Sequence, residues 1–222
     1  MLAGFLYLYG KLLYRGEEMD FNIQSICWDN EKRTKRAEII AGQIAHAVDP
    51  KKYYSALEFG CGTGLISFNL YDKLKDITCI DTSKCMIDIL NSKIQQRKVN
   101  NMVAHQQNIN VDYLLTPKYD LIYTSMALHH IVDIDTTLTN LYKLLKKDRY
   151  LCIVDLDEDD GSFHKLETDF DGHNGFNQNE LKKVLGRIGY KELESHTFYN
   201  DVKDINGVIL NYSLFIMIGR KI

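Results

Sequence analysis

Leu57-Glu58-Phe59-Gly60-Cys61-Gly62-Thr63-Gly64 decides how this 222-residue chain folds. A hydrophobic run from Tyr53 to Phe59 stops at three glycines in alternate positions, and Leu65-Ile66-Ser67-Phe68-Asn69-Leu70 then resumes as an amphipathic segment. The order strand, glycine turn, helix lets a ligand lie against bare backbone at the carboxyl end of a parallel strand. A Cβ would obstruct that approach or forbid the positive φ angles of a tight turn. A helix opening at residue 64 would aim unpaired N–H groups at the turn and favour an anionic group there.

Two departures from a dinucleotide fingerprint narrow the ligand. That fingerprint places glycine or alanine three residues past its second glycine, where helix packs on strand; here the position is Leu65. Glu58, just before the turn, repels phosphate and suits an ammonium group. A second apolar strand, Ile77-Thr78-Cys79-Ile80, ends in Asp81, 17 residues past Gly64, where an acid can accept both hydroxyls of a ribose. The ligand therefore joins an amino acid to a nucleoside, which describes S-adenosylmethionine.

With these motifs the chain resembles the class I S-adenosylmethionine-dependent methyltransferases, above all their small-molecule branch. Tyr119-Asp120-Leu121-Ile122-Tyr123-Thr124-Ser125-Met126-Ala127-Leu128-His129-His130-Ile131 is similar to the family's fourth strand and following loop. Leu144 to Asp155 resembles its helix, turn and fifth strand, with Asp148-Arg149 in place of the usual Gly-Gly. Asn108 falls where the family usually has an adenine-contacting aspartate. The order of motifs matches from about residue 25 onward. The resemblance implies an α/β fold: a Rossmann-like doubly wound sheet of seven strands, the last antiparallel, with an N-terminal helical cap. It implies an extension and cap in residues 1–52 and the methyltransferase domain in 53–222. It also implies methyl transfer from S-adenosylmethionine, with S-adenosylhomocysteine as product.

Alternation of apolar runs agrees. Strands are expected at about 53–59, 77–81, 102–106, 119–124 and 150–155, with helices near 29–48, 64–74, 83–97, 134–147 and 177–188. Glu194–Asp201 and Tyr212–Arg220 read as a final hairpin. Ala37, Ile40, Ala41, Ile44, Ala45 and Val48 share one face of the first helix, which in the family lies over the cofactor, with Trp28-Asp29 opening it as a lid. A 45% hydrophobic content supplies a core for one domain of this size. A net charge of −3 gives no electrostatic reason to expect a nucleic-acid groove. Lys73, Lys75, Lys93, Arg97 and Lys98 read as solvated surface. Five scattered cysteines, Cys27, Cys61, Cys79, Cys85 and Cys152, read as reduced thiols and suggest the cytoplasm. Met1 to Tyr9 is apolar but too short to span a bilayer, so no membrane association is expected. Arg15-Gly16-Glu17-Glu18 reads like a translated ribosome-binding site, which would make Met19 the natural start. An amphipathic helix packed on the cap is the alternative reading of these residues.

The expected cofactor residues are Trp28, Glu58, Gly60, Cys61, Gly62, Gly64, Asp81, Thr82, Met86, Asn108 and Ser125, with Glu58 near the methionine ammonium, Asp81 on the ribose and Met86 over the adenine. Asp81 can equally cap the next helix. His129 and His130 are the first candidates for a catalytic base, ahead of Asp155, Asp157, His164 and His173. The acidic run Asp155 to Asp160 reads as a solvated loop and not as a metal site. The Ser-Met-Ala-Leu-His-His loop lacks the Pro-Pro motif of enzymes that methylate planar amines, so the expected partner is a small neutral or cationic acceptor, and the expected assembly a monomer or homodimer. Two other functions fit the same pattern: a catalytically idle cofactor-binding subunit, and a nucleotide-dependent oxidoreductase.

Overall fold

The computed structural model of the chain describes residues 28–111, 118–167 and 170–222. The readings of residues 1–18, Met19 and Cys27 fall outside them. Among the described residues, seven strands form one sheet in the order β3-β2-β1-β4-β5-β7-β6. The strands are β1 (Ser55–Phe59), β2 (Asp76–Asp81), β3 (Met102–Gln106), β4 (Tyr119–Ser125), β5 (Leu145–Leu156), β6 (Tyr190–Ile205) and β7 (Val208–Lys221). The first five pair in parallel and β7 runs antiparallel between β5 and β6. Helices α1 (Glu31–Val48) and α2 (Lys84–Gln96) bury Ile40, Ile44, Ile87 and Leu90 on one face. Helices α3 (Ile134–Leu144) and α4 (Gln178–Ile188) bury Leu138, Leu141, Leu181 and Leu185 on the other. This is the doubly wound sheet expected. No helix among the described residues is long and apolar enough to cross a membrane.

Three elements differ from the expectation. The segment after Gly64 is not an α-helix but two short 3-10 turns, Ser67–Asn69 and Tyr71–Lys73. The third helix ends at Leu144 and not near residue 147, and β5 begins at once. Asp148 takes φ +60°, the left-handed turn that the family's glycine pair would provide. Its neighbour Arg149 gains a use there: with Lys146 it holds the buried Asp120 carboxylate, each nitrogen 2.8 Å away. The final hairpin is longer than expected, closing at Asn206-Gly207, both with positive φ. Asn-Gly is the residue pair favoured in two-residue hairpin turns.

The expected surface lysines and arginines divide. Lys93 has a side chain only 14% exposed, pairs with Asp29 at 2.7 Å, and its ammonium lies over Phe68 beside the Arg97 guanidinium. Lys93 thereby pins the segment before α1, while Arg97 stays exposed as expected. The described cysteines, Cys61, Cys79, Cys85 and Cys152, are free thiols.

The loop after β4 is fastened from β5. Asp155 is fully buried, and its Oδ2 accepts from the backbone N–H of Leu128 (3.0 Å) and His129 (3.3 Å). Its Oδ1 bonds Nδ1 of His129 and accepts from Leu156 N at 2.8 Å. One carboxylate thus satisfies four polar groups that would otherwise be buried without partners. Asp155→Ala is expected to lower the unfolding free energy by about 3–5 kcal/mol. A urea titration showing a loss below about 1 kcal/mol would contradict the fastening role.

Candidate active site

A cleft opens over the carboxyl ends of β1, β2 and β4, beneath the start of α1. Its floor is the loop between Phe59 and Gly64. Ile80 O accepts from both Gly60 N (2.9 Å) and Cys61 N (3.0 Å), and Asp81 Oδ2 accepts from Gly62 N at 2.8 Å. The end of β2 therefore sets the shape of the β1 loop. The glycines play different parts. A Cβ on Gly62, where φ is +50°, would meet nothing nearer than Trp28 Nε1 at 3.8 Å and Met86 Sδ at 4.0 Å, so it would project into the cleft. A Cβ on Gly60 would strike Ala127 at 2.3 Å, and one on Gly64 would strike Leu90 at 2.4 Å. Gly60 admits the β4 loop, Gly64 admits α2, and only Gly62 bares backbone to a ligand.

Of the residues expected to serve the cofactor, Trp28, Glu58, Gly60, Cys61, Gly62, Asp81, Thr82, Met86 and Ser125 line this cleft. Gly64 does not, for the packing reason given. Asn108 does not either: it is exposed, and its amide oxygen accepts from Asn110 N at 3.0 Å in a local turn. The preceding residue, Gln107, lines the cleft, tied by its backbone N–H to Asp81 O at 2.9 Å. The bland role considered for Asp81 belongs to Ser83, whose hydroxyl caps α2 by accepting from Met86 N. Asp81 instead receives Gly62 N and Ser83 N (2.9 Å), one on each oxygen. A carboxylate oxygen has two acceptor sites, so each keeps one. Burial raises the Asp81 pKa against these bonds.

Glu58 is 2% exposed at the end of β1. Its Oε2 accepts from the Ser67 hydroxyl, which in turn lies 2.7 Å from the Tyr123 hydroxyl. Burial pushes its pKa up to about 8 against the Ser67 bonds, with Asp81 adding repulsion and Lys93 opposing it. Above it, α1 carries two cations that the sequence reading did not select, Arg33 and Arg36. Their spacing of three residues on one helix face was the available signal. Arg33 stacks on the Trp28 indole, its Cζ 4.1 Å from the ring centre, and donates to Trp28 O. These guanidiniums bring positive charge to the cleft.

The two histidines after β4 separate. His129 is 1% exposed, held by Asp155, and does not line the cleft. His130 lines it, and burial together with neighbouring His129 and His164 pushes its pKa down to about 3. Met126, with φ +54°, sits in the same wall. Such a left-handed non-glycine residue stores strain beside a site. Behind His130, the His164 ring stacks on Phe170 at 3.7 Å and its Nδ1 bonds Glu167 Oε2 at 2.8 Å. His173 lies on the His129 carbonyl through its backbone N–H, 2.7 Å. Asp157 is engaged by Gln178, Thr197 and Ser213. Asp159 accepts from Gly161 N and Phe163 N. Asp155, Asp157 and Asp159 are thus bonded into the structure, while Glu158 and Asp160 are exposed, as a solvated loop would have them. Among the described residues no group of three or more potential metal-binding side chains comes together.

A family model described as a methyltransferase domain matches residues 50–200. An uncharacterized methyltransferase of Schizosaccharomyces pombe is 35% identical over 121 residues, which cover 51% of this chain and 43% of that protein's length. An O-methyltransferase of Aspergillus nomiae, rstn1, is 25% identical over 202 residues, 83% of this chain and 85% of that one. Among solved structures, phosphoethanolamine N-methyltransferase 2 of Haemonchus contortus, in complex with S-adenosyl-L-methionine, superposes with a TM-score of 0.68 at 12% identity, over 82% of this chain and 52% of that one. The parallel sheet with its antiparallel seventh strand, the glycine loop at the end of β1 and the family match place this chain among the class I S-adenosylmethionine-dependent methyltransferases.

Proposed function

We propose that the chain transfers the methyl group of S-adenosylmethionine to a small-molecule acceptor by in-line displacement. The observation that carries this reading is the bare backbone at Gly62, open to the cleft between an acid at either end, Glu58 and Asp81. Asp81 retains one acceptor site on each oxygen for the two ribose hydroxyls, and Gln107, Thr82 and Met86 flank the adenine side. Glu58 faces the ammonium of the amino-acid end, and Arg33 receives its carboxylate. The family likeness to an O-methyltransferase over most of both chains supports oxygen as the acceptor atom.

Bound cofactor supplies a methyl carbon activated by positive sulfur, and the C–S bond breaks with its electron pair left on sulfur as S-adenosylhomocysteine. The protein's share is alignment and exclusion of water, which in favourable models supplies about 7–11 kcal/mol. His130, neutral throughout the physiological range, orients an acceptor hydroxyl. With a pKa near 3 it is too weak a base to remove much of the proton before transfer.

Glu58 makes the reading measurable. Its pKa in the folded chain, about 8, lies above the ordinary 4.5. The stability it contributes is therefore complete below pH 4.5 and lost as pH rises through 8. An ammonium group placed beside it favours the carboxylate, so binding at pH 7 drives a proton off. Calorimetry of S-adenosylhomocysteine binding at pH 7, in buffers of different ionisation enthalpy, is expected to show close to one proton released. The Glu58→Gln variant is expected to release none. NADH is expected not to bind; saturation by NADH with no heat from S-adenosylhomocysteine would overturn the function. The glycines give a second measurement. Gly62→Ala is expected to cost about 1–2 kcal/mol of stability and more than tenfold in affinity for S-adenosylhomocysteine. Gly64→Ala is expected to cost about 2–4 kcal/mol of stability, with affinity in the folded fraction changed less than twofold. The reverse pattern would place the ligand elsewhere.

A further inference from the structure

We infer that the methyl acceptor is an anion, a small carboxylate or phosphate ester, whose charged group is received by Arg36 with Lys203 adding positive field. The inference rests on the reading of the cleft as a donor and acceptor site, and departs from the neutral or cationic acceptor expected from sequence.

Position comes first. The donor's nucleoside bed lies at β2 and β3, at Asp81, Thr82 and Gln107. The sheet then runs outward through β1, β4, β5 and β7. Arg36 is on that far side: its Nη1 donates to the Tyr212 hydroxyl of β7 at 3.0 Å, and that hydroxyl donates to Asp201 Oδ2 at 3.0 Å. Arg36 is half-buried in the cleft wall and makes no ion pair among the described residues. One of its five N–H donors is engaged by Tyr212, and a guanidinium presents the rest in a fork that fits a carboxylate or phosphate.

Charge comes second. Among the residues lining the cleft, the acids are Glu58 and Asp81, both in the donor half. An ammonium acceptor would find no carboxylate on the far side, whereas an anion finds a surplus of positive charge. Lys203 of β6 stands close enough to Arg33 and Arg36 for both to depress its pKa, after burial, the largest cause. Its ammonium lies 3.9 Å from the Phe163 ring centre and donates to Phe163 O at 2.6 Å. Glu167 and Asp159 oppose this repulsion but lie outside the cleft lining, where their hydrogen-bonding capacity is turned to other groups. Glu167, 3.9 Å from Lys203, binds His164 at 2.8 Å, and Asp159 holds two backbone N–H groups. Asp201, which pairs with Lys32 at 3.0 Å, also accepts from Tyr199 and Tyr212. Cations held together in a partly dehydrated wall repel one another, and an incoming anion relieves that repulsion as it binds.

The test uses the whole chain loaded with S-adenosylhomocysteine and titrated with four probes of one aromatic size: benzoate, phenyl phosphate, benzyl alcohol and benzylamine. The expected result is that an anion binds at least tenfold tighter than the alcohol and the amine. Tighter binding of benzoate assigns a carboxylate, and of phenyl phosphate a phosphate ester. Arg36→Gln is expected to weaken the anion at least tenfold with S-adenosylhomocysteine affinity changed less than threefold, and Lys203→Gln to weaken it severalfold. Equal or better binding of the amine or alcohol overturns the proposal, as does no anion binding at all. Equal losses of anion and S-adenosylhomocysteine in Arg36→Gln would assign that residue to the donor and also overturn it. A loaded complex that never forms removes the donor reading first, and is visible in the initial titration.

Discussion

The carboxyl end of β2 holds the loop that leaves β1, and the cleft takes its shape from that attachment. Ile80 O receives two successive N–H groups of the loop, and the Asp81 side chain receives a third. With its donors spent on a neighbouring strand, the loop keeps three positive φ angles at alternate positions. That path brings Ala127 against Gly60 and Leu90 against Gly64. Sheet, β4 loop and α2 therefore meet at one turn, and Gly62 is left as bare backbone facing outward. The acid that shapes the turn also keeps acceptor sites toward the cleft, so one residue links the fold to the ligand.

Much of this was legible before any coordinates, because the features are local. A hydrophobic run, three spaced glycines and an acid at the end of the next strand are set by backbone geometry and hydrogen-bonding capacity over a few residues. The α1 core face, the alternating strands and the final antiparallel hairpin follow from periodicity. What could not be read depends on distance across the fold. The segment after Gly64 has helical spacing, yet it folds as two short 3-10 turns. Asn108 and Gln107 are neighbours in sequence, and only the attachment of Gln107 N to Asp81 O decides which one faces the cleft. Lys93 looks like any helix-surface lysine until Asp29 and Phe68 are placed around it. Arg33 and Arg36 had a usable signal in their spacing, but nothing local says that this face of α1 covers a cleft.

The sequence also treats His129 and His130 as near equivalents. Adjacent residues in a short 3-10 turn point in different directions, and the structure gives them opposite surroundings. His129 meets a buried carboxylate that also holds the turn's backbone, so it serves the loop. His130 meets apolar walls and two other imidazoles, and that crowding keeps it uncharged. A charged imidazole in the wall would repel a sulfonium, so the pressure that makes His130 a poor base also makes it a compatible neighbour for a cationic donor.

The same reasoning explains how a cleft can hold opposite charges a few residues apart. Methyl transfer turns a cationic donor into a neutral thioether, so a negative wall beside the sulfur would favour the ground state and slow the reaction. Here Glu58 is held neutral by burial before the donor binds and becomes a carboxylate only with the donor's ammonium against it, so the pair adds no net negative charge near the sulfur, and Asp81 lies out at the end of β2. The positive groups stand on α1 and β6. An anionic acceptor drawn to them brings its own negative charge toward the sulfonium as it aligns for attack, so the attraction that binds the acceptor also steers it into line. The protein need then fix only geometry, and geometry is what a loop fastened to the sheet supplies best.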